Sequence, residues 1–150
     1  MTVDTIEREV SINAPIERVW ALITEAEHLG TWFGTHGATI DLRPGGDIEM
    51  RWDGHDITGV VATVAPTRLF AFRWRQVAGV ASADLGIGNS TLVEFSLAVE
   101  GDTTIVRLVE SGFASLELSA EDRDGMYAGH SEGWTLELEE LVAYAPGVAA

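Results

Sequence analysis

Residues 38–111 alternate between apolar and polar side chains in short segments, and this pattern constrains the fold more than any other feature. An alternation of period two is typical of strands with one buried face. It predicts strands over residues 38–42, 47–53, 57–64, 69–76, 91–100 and 103–111. Glycine, proline and aspartate at the breaks predict tight turns, which allow only hairpin connections. Because residues 5–13 alternate too, we expect an antiparallel sheet of about six or seven strands.

Helical periodicity is confined to the segments that flank this strand-rich region. Residues 15–24 and 25–32 are predicted to form two short helices after the first strand. Residues 120–145 predict one long helix, with Ser119 as its N-cap and Pro146-Gly147 as its stop. Its apolar stripe is Met126, Tyr127, His130, Trp134, Leu138, Leu141 and Val142. This helix must cover the apolar face of the sheet, which predicts an α+β fold.

Length and composition narrow the class of protein. The 150 residues, 46% of them hydrophobic, fit a single domain over residues 1–150. The chain has no cysteine, which excludes thiolate chemistry and favours a cytoplasmic setting. All nine cationic residues are arginines, so lysine-based Schiff-base chemistry is excluded. The net charge of −15 disfavours nucleic acid and anionic lipid as partners.

No targeting, membrane or metal-binding pattern is found in the sequence. Residues 1–13 contain no basic segment followed by an apolar run, so we expect no signal peptide. No stretch approaches the roughly 20 apolar residues of a membrane span, so no membrane insertion is expected. The histidines are too scattered to form paired metal ligands, and we expect neither a metal nor a cofactor.

Several short motifs, taken in order, resemble one known family. Residues 12–20 read INAPIERVW, Trp32-Phe33 follows, and residues 42–46 read LRPGG. Further along come Gly59-Val60-Val61 with Pro66 and Arg68-Leu69, then Ser111-Gly112-Phe113, and residues 130–134, which read HSEGW. Together they resemble the SRPBCC, or START-like, superfamily, in the branch named after the activator of the heat-shock protein 90 (Hsp90) ATPase.

The resemblance implies a helix-grip fold, in which a curved sheet closes around the C-terminal helix and leaves an apolar cavity between them. It does not imply one function, since relatives include carriers of hydrophobic ligands, aromatic polyketide cyclases and a eukaryotic co-chaperone. That co-chaperone has an additional N-terminal domain, so Hsp90 activation is not carried over to this chain.

Aromatic side chains are the main candidates for lining such a cavity, although each could equally fill the core. Trp52 and Trp74 alternate with charged residues and should point inward. Trp134 lies one helical turn from His130 on the helix that should face the sheet. The aromatic candidates for ligand binding are Trp32, Phe33, Trp52, Trp74, Phe113 and Trp134.

His130 and Glu110 are the polar candidates for the same site. His130 interrupts an apolar stripe, where it either is a hydrogen-bonded core residue or points into the cavity as an acid or base. Glu110 faces inward if Val106 and Leu108 do; under the opposite parity, Arg107 faces inward instead. A buried Glu110 would need a partner, either His130 or Arg8.

Glycines supply two further expectations. Gly129 and Gly133 flank His130, and they serve either close packing of helix on sheet or space for a ligand. Residues 77–89 carry three glycines and are predicted to form a long mobile loop that gates the cavity.

These observations favour a protein that binds a small hydrophobic or amphipathic ligand and has no assigned catalytic residue. The alternatives are a chaperone-linked or stress-related interaction role, and a cyclase or aromatase in which His130 and Glu110 move a proton. A homodimer is compatible with each of them.

Overall fold

The computed structural model describes residues 3–147, and seven antiparallel strands form one sheet within them. The order across the sheet is β1-β7-β6-β5-β4-β3-β2, so every pair except β1–β7 joins strands consecutive in sequence. This confirms the predicted curved antiparallel sheet and the hairpin connections. The strands are β1 (Thr5–Ile12), β2 (Ala38–Ile40), β3 (Asp47–Trp52), β4 (His55–Ala65), β5 (Leu69–Arg75), β6 (Ser90–Glu100) and β7 (Thr103–Ser111).

The helices occupy the predicted positions at both ends of the sheet region. Helix α1 is Ile16–Thr24 and helix α2 is Ala26–His28, which continues as a π-helical turn over Leu29–Phe33. In that turn the Gly34 N–H donates to the Leu29 carbonyl over 2.8 Å, which closes the wider i to i+5 ring. The second predicted helix is therefore mostly a π turn, and it carries Trp32 and Phe33 at its end.

Helix α3, Ala120–Tyr144, packs its apolar stripe against the concave face of the sheet. The Ser119 hydroxyl accepts from the Asp122 N–H at 3.1 Å, as expected for an N-cap. Trp134, Leu138 and Leu141 are buried, which confirms the predicted stripe. Val142 is the exception: it is 39% exposed and lines a surface groove between α3 and β1.

Strand register settles the parity of β7. Glu110 pairs with Ile6 on one side and Val93 on the other, and both of these neighbours are fully buried. Glu110 itself has no exposed surface, whereas Arg107 is exposed. Inward Glu110 is thus confirmed, and the alternative with Arg107 inward is wrong. Among residues 3–147, no helix combines the length and apolar character needed to cross a membrane.

Candidate ligand cavity

A cavity of about 160 Å³ lies between α3, the π turn and strands β3 to β5. It reaches the surface beside His55 and Gly129, which are both exposed. Its size is close to that of an apolar protein cavity of about 150 Å³ that binds benzene, and below the roughly 300–1,000 Å³ of drug-sized sites. The volume thus matches a single aromatic ring and is too small to bury a whole fused-ring or long-chain ligand. The lining residues are Phe33, Trp52, His55, Ile57, Trp74, Gly129, His130, Gly133, Trp134 and Glu137.

The aromatic wall is a packed cluster of four rings contributed by four different elements. Phe33 stacks on Trp134 with ring centroids 5.1 Å apart, and Trp74 stacks on Trp134 at 5.7 Å. Trp52 meets Phe33 edge-on at 5.2 Å. Such contacts each add about 0.5–1.5 kcal/mol beyond area burial, so the wall is held in place before any ligand arrives.

Behind this wall, the fully buried Glu110 carboxylate is the centre of a hydrogen-bond network. The Trp134 Nε1–H donates to Oε1 at 2.7 Å, and the Trp74 Nε1–H donates to Oε2 at 2.7 Å. The Thr91 hydroxyl donates to Oε2 at 2.6 Å, and His130 Nδ1 lies 2.9 Å from both oxygens. An indole N–H can only donate, so this set of partners favours the carboxylate form of Glu110. The buried charge is thereby compensated by four donors.

This network fixes the tautomer and orientation of His130. Because the Glu110 carboxylate can only accept a hydrogen bond from His130, Nδ1 carries the ring proton. The other ring nitrogen, Nε2, then has a free lone pair. Nε2 makes no hydrogen bond with any residue between 3 and 147, and the His130 side chain is 20% exposed on the cavity wall. The imidazole is also held edge-on by Trp74 and Phe113. His130 therefore presents a positioned, unoccupied nitrogen to the cavity.

Gly129 and Gly133 provide space, not close packing. A Cβ atom placed on either glycine would meet no other atom within 4 Å, and both residues line the cavity. The close-packing interpretation is therefore wrong. Glycine at each of these two positions beside the cavity costs the helix about 1 kcal/mol of stability relative to alanine.

Glu137 is a second carboxylate on the cavity wall, and its surroundings differ from those of Glu110. Its Oε2 atom is buried without a hydrogen-bond partner among the described residues. Burial, reinforced by the nearby Glu140 charge, raises the pKa of Glu137 from 4.5 to about 7, while a hydrogen bond with the Trp52 side chain opposes that shift. Glu137 is thus a half-buried group that exchanges a proton near neutral pH.

The structure brings five of the eight predicted ligand-binding residues to the cavity wall, and whether they contact a ligand stays a prediction. The five are Phe33, Trp52, Trp74, His130 and Trp134. Glu110 lies behind the wall as the partner of His130. Trp32 and Phe113 do not line this cavity. Trp32 is a core residue whose indole donates to the Leu22 carbonyl at 2.7 Å, and Phe113 is fully buried between His130 and Tyr127.

Two other sequence expectations need correction. Arg8 does not pair with Glu110; its guanidinium donates to the Ser131 hydroxyl at 2.7 Å and the Ser131 carbonyl at 3.1 Å, so it ties β1 to α3. Residues 77–89 do not gate this cavity, since none of them lines it. That loop is also held by hydrogen bonds, among them Ser82 to Asp47 at 2.9 Å and the Glu117 N–H to the Gly88 carbonyl at 2.7 Å.

Three lining residues were missed from the sequence. Glu137 lies seven residues after His130 and thus on the same helix face. Its charge, however, predicts a solvent-exposed side chain. Ile57 shares the inward parity of β4. His55 pairs with Trp52 across the β3–β4 hairpin, with parallel rings 5.3 Å apart, and the Asp53-Gly54 turn was the available signal.

A larger surface groove of about 440 Å³ lies between β1 and α3, but it has no aromatic wall. Charged residues Arg8, Glu9 and Glu139 contribute to it. Of these, Arg8 already donates hydrogen bonds to Ser131. Across residues 3–147, no cluster of three or more potential ligands could hold a metal ion.

The curved sheet, the gripping helix and the cavity between them together define a START-like domain of the SRPBCC superfamily. Within that superfamily, the family model of Activator of Hsp90 ATPase homolog 1-like protein matches residues 13–145. The chain therefore belongs to that family, as the sequence motifs indicated. None of the curated proteins matches the sequence.

Solved structures resemble the chain over most of its length. Protein MLL2253 from Mesorhizobium loti superposes with a TM-score of 0.78 at 21% identity, covering 97% of this chain and 99% of that one. The Aha1 dimer from Colwellia psychrerythraea gives 0.69 at 20% identity, with 93% of each chain covered. PFC0360w, an HSP90 activator from Plasmodium falciparum, gives 0.67 at 18% identity, with 89% of each covered. At such identities the similarity establishes the fold alone.

Proposed function

We propose that this protein binds a small ligand with a single apolar ring in the cavity beneath α3. The observation that carries the proposal is the space left by Gly129 and Gly133 against a preformed wall of aromatic rings. Burial of one ring supplies affinity at about 25 cal/mol per Å² of apolar area. The His130 ring and the Glu137 carboxylate are polar groups of the wall that can fix the ligand's orientation.

The five tryptophans provide an internal control for a binding experiment. Each indole N–H gives one resonance in a ¹H–¹⁵N NMR spectrum, and Trp52, Trp74 and Trp134 line the cavity whereas Trp20 and Trp32 do not. Titration with benzyl alcohol should shift the first three saturably and leave the other two in place. Equal shifts of all five, or shifts of Trp20 and Trp32 alone, would contradict the proposal.

A cavity-filling variant tests the same proposal from the opposite side. Gly133→Leu adds a side chain at a position where a Cβ atom would have no neighbour within 4 Å, so the helix accepts it without a backbone clash. We expect this variant to remain folded and to lose benzyl alcohol binding. Leucine at Gly125, which lies on α3 but does not line the cavity, is the matched control and should retain binding.

A second candidate, acid–base catalysis of the cyclase or aromatase type, is favoured by one observation. Glu110 holds His130 so that Nε2 faces the cavity, the arrangement by which a carboxylate orients a general base. Under this hypothesis His130→Gln would abolish turnover while benzyl alcohol still binds. Under the binding hypothesis alone, the variant would change affinity only.

A chaperone-linked role, a stress-related role and a homodimer have less support from this chain's own geometry. Among the described residues, the most exposed large apolar side chain, Ile87, lies in the loop before β6, whereas Val99 lies on β6 and Leu136 on α3. Residues so far apart in the fold do not by themselves form the contiguous apolar patch that marks a protein interface. The lack of cysteine supports a cytoplasmic setting.

A further inference from the structure

The cavity wall carries a negative charge and no strong cation. Glu137 is its one carboxylate, and the other ionisable lining residues are His55 and His130. None of the nine arginines lines the cavity, and the chain has no lysine. An anionic ligand would therefore meet a carboxylate with no cation to pair with, which is costly in a partly buried site.

Glu137 also has a hydrogen-bonding atom without a partner, just beneath the surface of that wall. Its Oε2 is buried and unpartnered among residues 3–147, which costs about 1–3 kcal/mol for a neutral group and more for a charged one. A ligand N–H donor that the carboxylate meets by rotating toward the cavity would remove this cost, and a charged ammonium would do so more effectively than a neutral hydroxyl. The polar end of the cavity therefore favours a ligand with a hydrogen-bond donor, and a cationic donor most of all.

The aromatic wall has the same preference. Trp74 and Trp134 line the cavity while their indole N–H groups donate to Glu110 at 2.7 Å. Hydrogen bonding to a carboxylate polarises the indole and increases the electron density of its ring face. Such a face attracts a cation within about 6 Å of the ring centroid. The net charge of −15 also concentrates cations at the protein surface.

We propose that the cavity selects a single-ring ligand that carries a cationic amine, and that Glu137 forms the ion pair with that amine. This inference rests on the proposed binding function. The titratable groups that face Glu137 are Glu140 and His130 from α3 and His55 from β4. Because protonation of Glu137 removes its charge, the preference for a cation belongs to the pH range above about 7.

Three compounds of one shape but different charge test this inference: benzylamine, benzyl alcohol and benzoate. In calorimetric titrations at about pH 8, we expect benzylamine to bind about tenfold tighter than benzyl alcohol, and benzoate not to bind. Near pH 5.5 the advantage of benzylamine should shrink, because Glu137 is then largely protonated.

Matched variants assign the effect to one carboxylate. Glu137→Gln should abolish the preference for benzylamine, because it lowers benzylamine affinity far more than benzyl alcohol affinity. Glu139→Gln removes the same charge from an exposed position outside the cavity and should keep the preference. Glu140→Gln removes the neighbour that raises the pKa of Glu137, so the preference should persist to lower pH.

The outcomes separate this inference from the proposed function. If benzyl alcohol binds as tightly as benzylamine, or if Glu137→Gln keeps the preference while its thermal melt stays cooperative, the ion-pair inference is wrong and the ring-binding function stands. If none of the three compounds binds, both are wrong.

Discussion

Alanine at Gly129 and Gly133 should stabilise the protein, because these glycines occupy helix positions where a side chain would meet no other atom. Neither has the positive φ that would penalise a side chain, and a Cβ at each contacts nothing within 4 Å. Glycine costs about 1 kcal/mol relative to alanine in a helix interior. The double variant should therefore gain about 2 kcal/mol, which corresponds to roughly 4–8 °C in Tm for a chain of this size.

Thermal and urea unfolding measure this gain, and benzyl alcohol titration measures what it does to binding. Gly125→Ala is the control: Gly125 also has free space around it but lies outside the cavity, so it should add about 1 kcal/mol without changing affinity. The double variant should weaken binding, since two methyl groups enter the ligand space. A loss of stability of about 1 kcal/mol or more would show that the glycines serve close packing.

Three further variants test the network around the cavity. Glu110→Gln should destabilise the fold by about 3 kcal/mol in urea unfolding, because an amide NH₂ would then face indole donors; a loss below about 1 kcal/mol would contradict the buried carboxylate. Since burial raises the pKa of Glu137 from 4.5 to about 7, the folded state holds a proton that the unfolded chain has lost, and stability falls as pH rises through that window. Glu137→Gln should remove this fall, about 1–2 kcal/mol after discounting for solvent screening, so an unchanged pH profile of Tm would refute the assignment. Arg8→Ala should cost about 1–2 kcal/mol by releasing Ser131, and Arg8→Lys should recover only part of it.

The fold was accessible from sequence because each element carries a strong period. Alternation over β3 and β6 and the stripe on α3 predicted strands and helix within a few residues. The π turn after α2 could not be predicted from the sequence. Its hydrogen bonds depend on the tertiary placement of Trp32, whose indole N–H donates to the Leu22 carbonyl. Short apolar segments without a clear period do not distinguish such geometries.

The site was accessible in part, for reasons that differ from residue to residue. The apolar stripe singled out His130, and strand parity left Glu110 undecided until the register with Ile6 and Val93 was known. Glu137 was not predicted as a lining residue, because a carboxylate on a helix is usually exposed to solvent. Its role depends on how α3 sits over the β3–β4 hairpin, a long-range feature that local patterning does not contain.

The most direct test of the cavity as a ligand site is a crystal structure of the protein exposed to iodobenzene, with the iodine located by anomalous scattering. We predict one dominant anomalous peak beneath α3, within contact distance of Phe33, Trp74 and Trp134 and beside Gly133. A Gly133→Leu crystal treated in the same way should lack that peak. Dominant density in the groove between β1 and α3, or no peak beneath α3, would contradict the account.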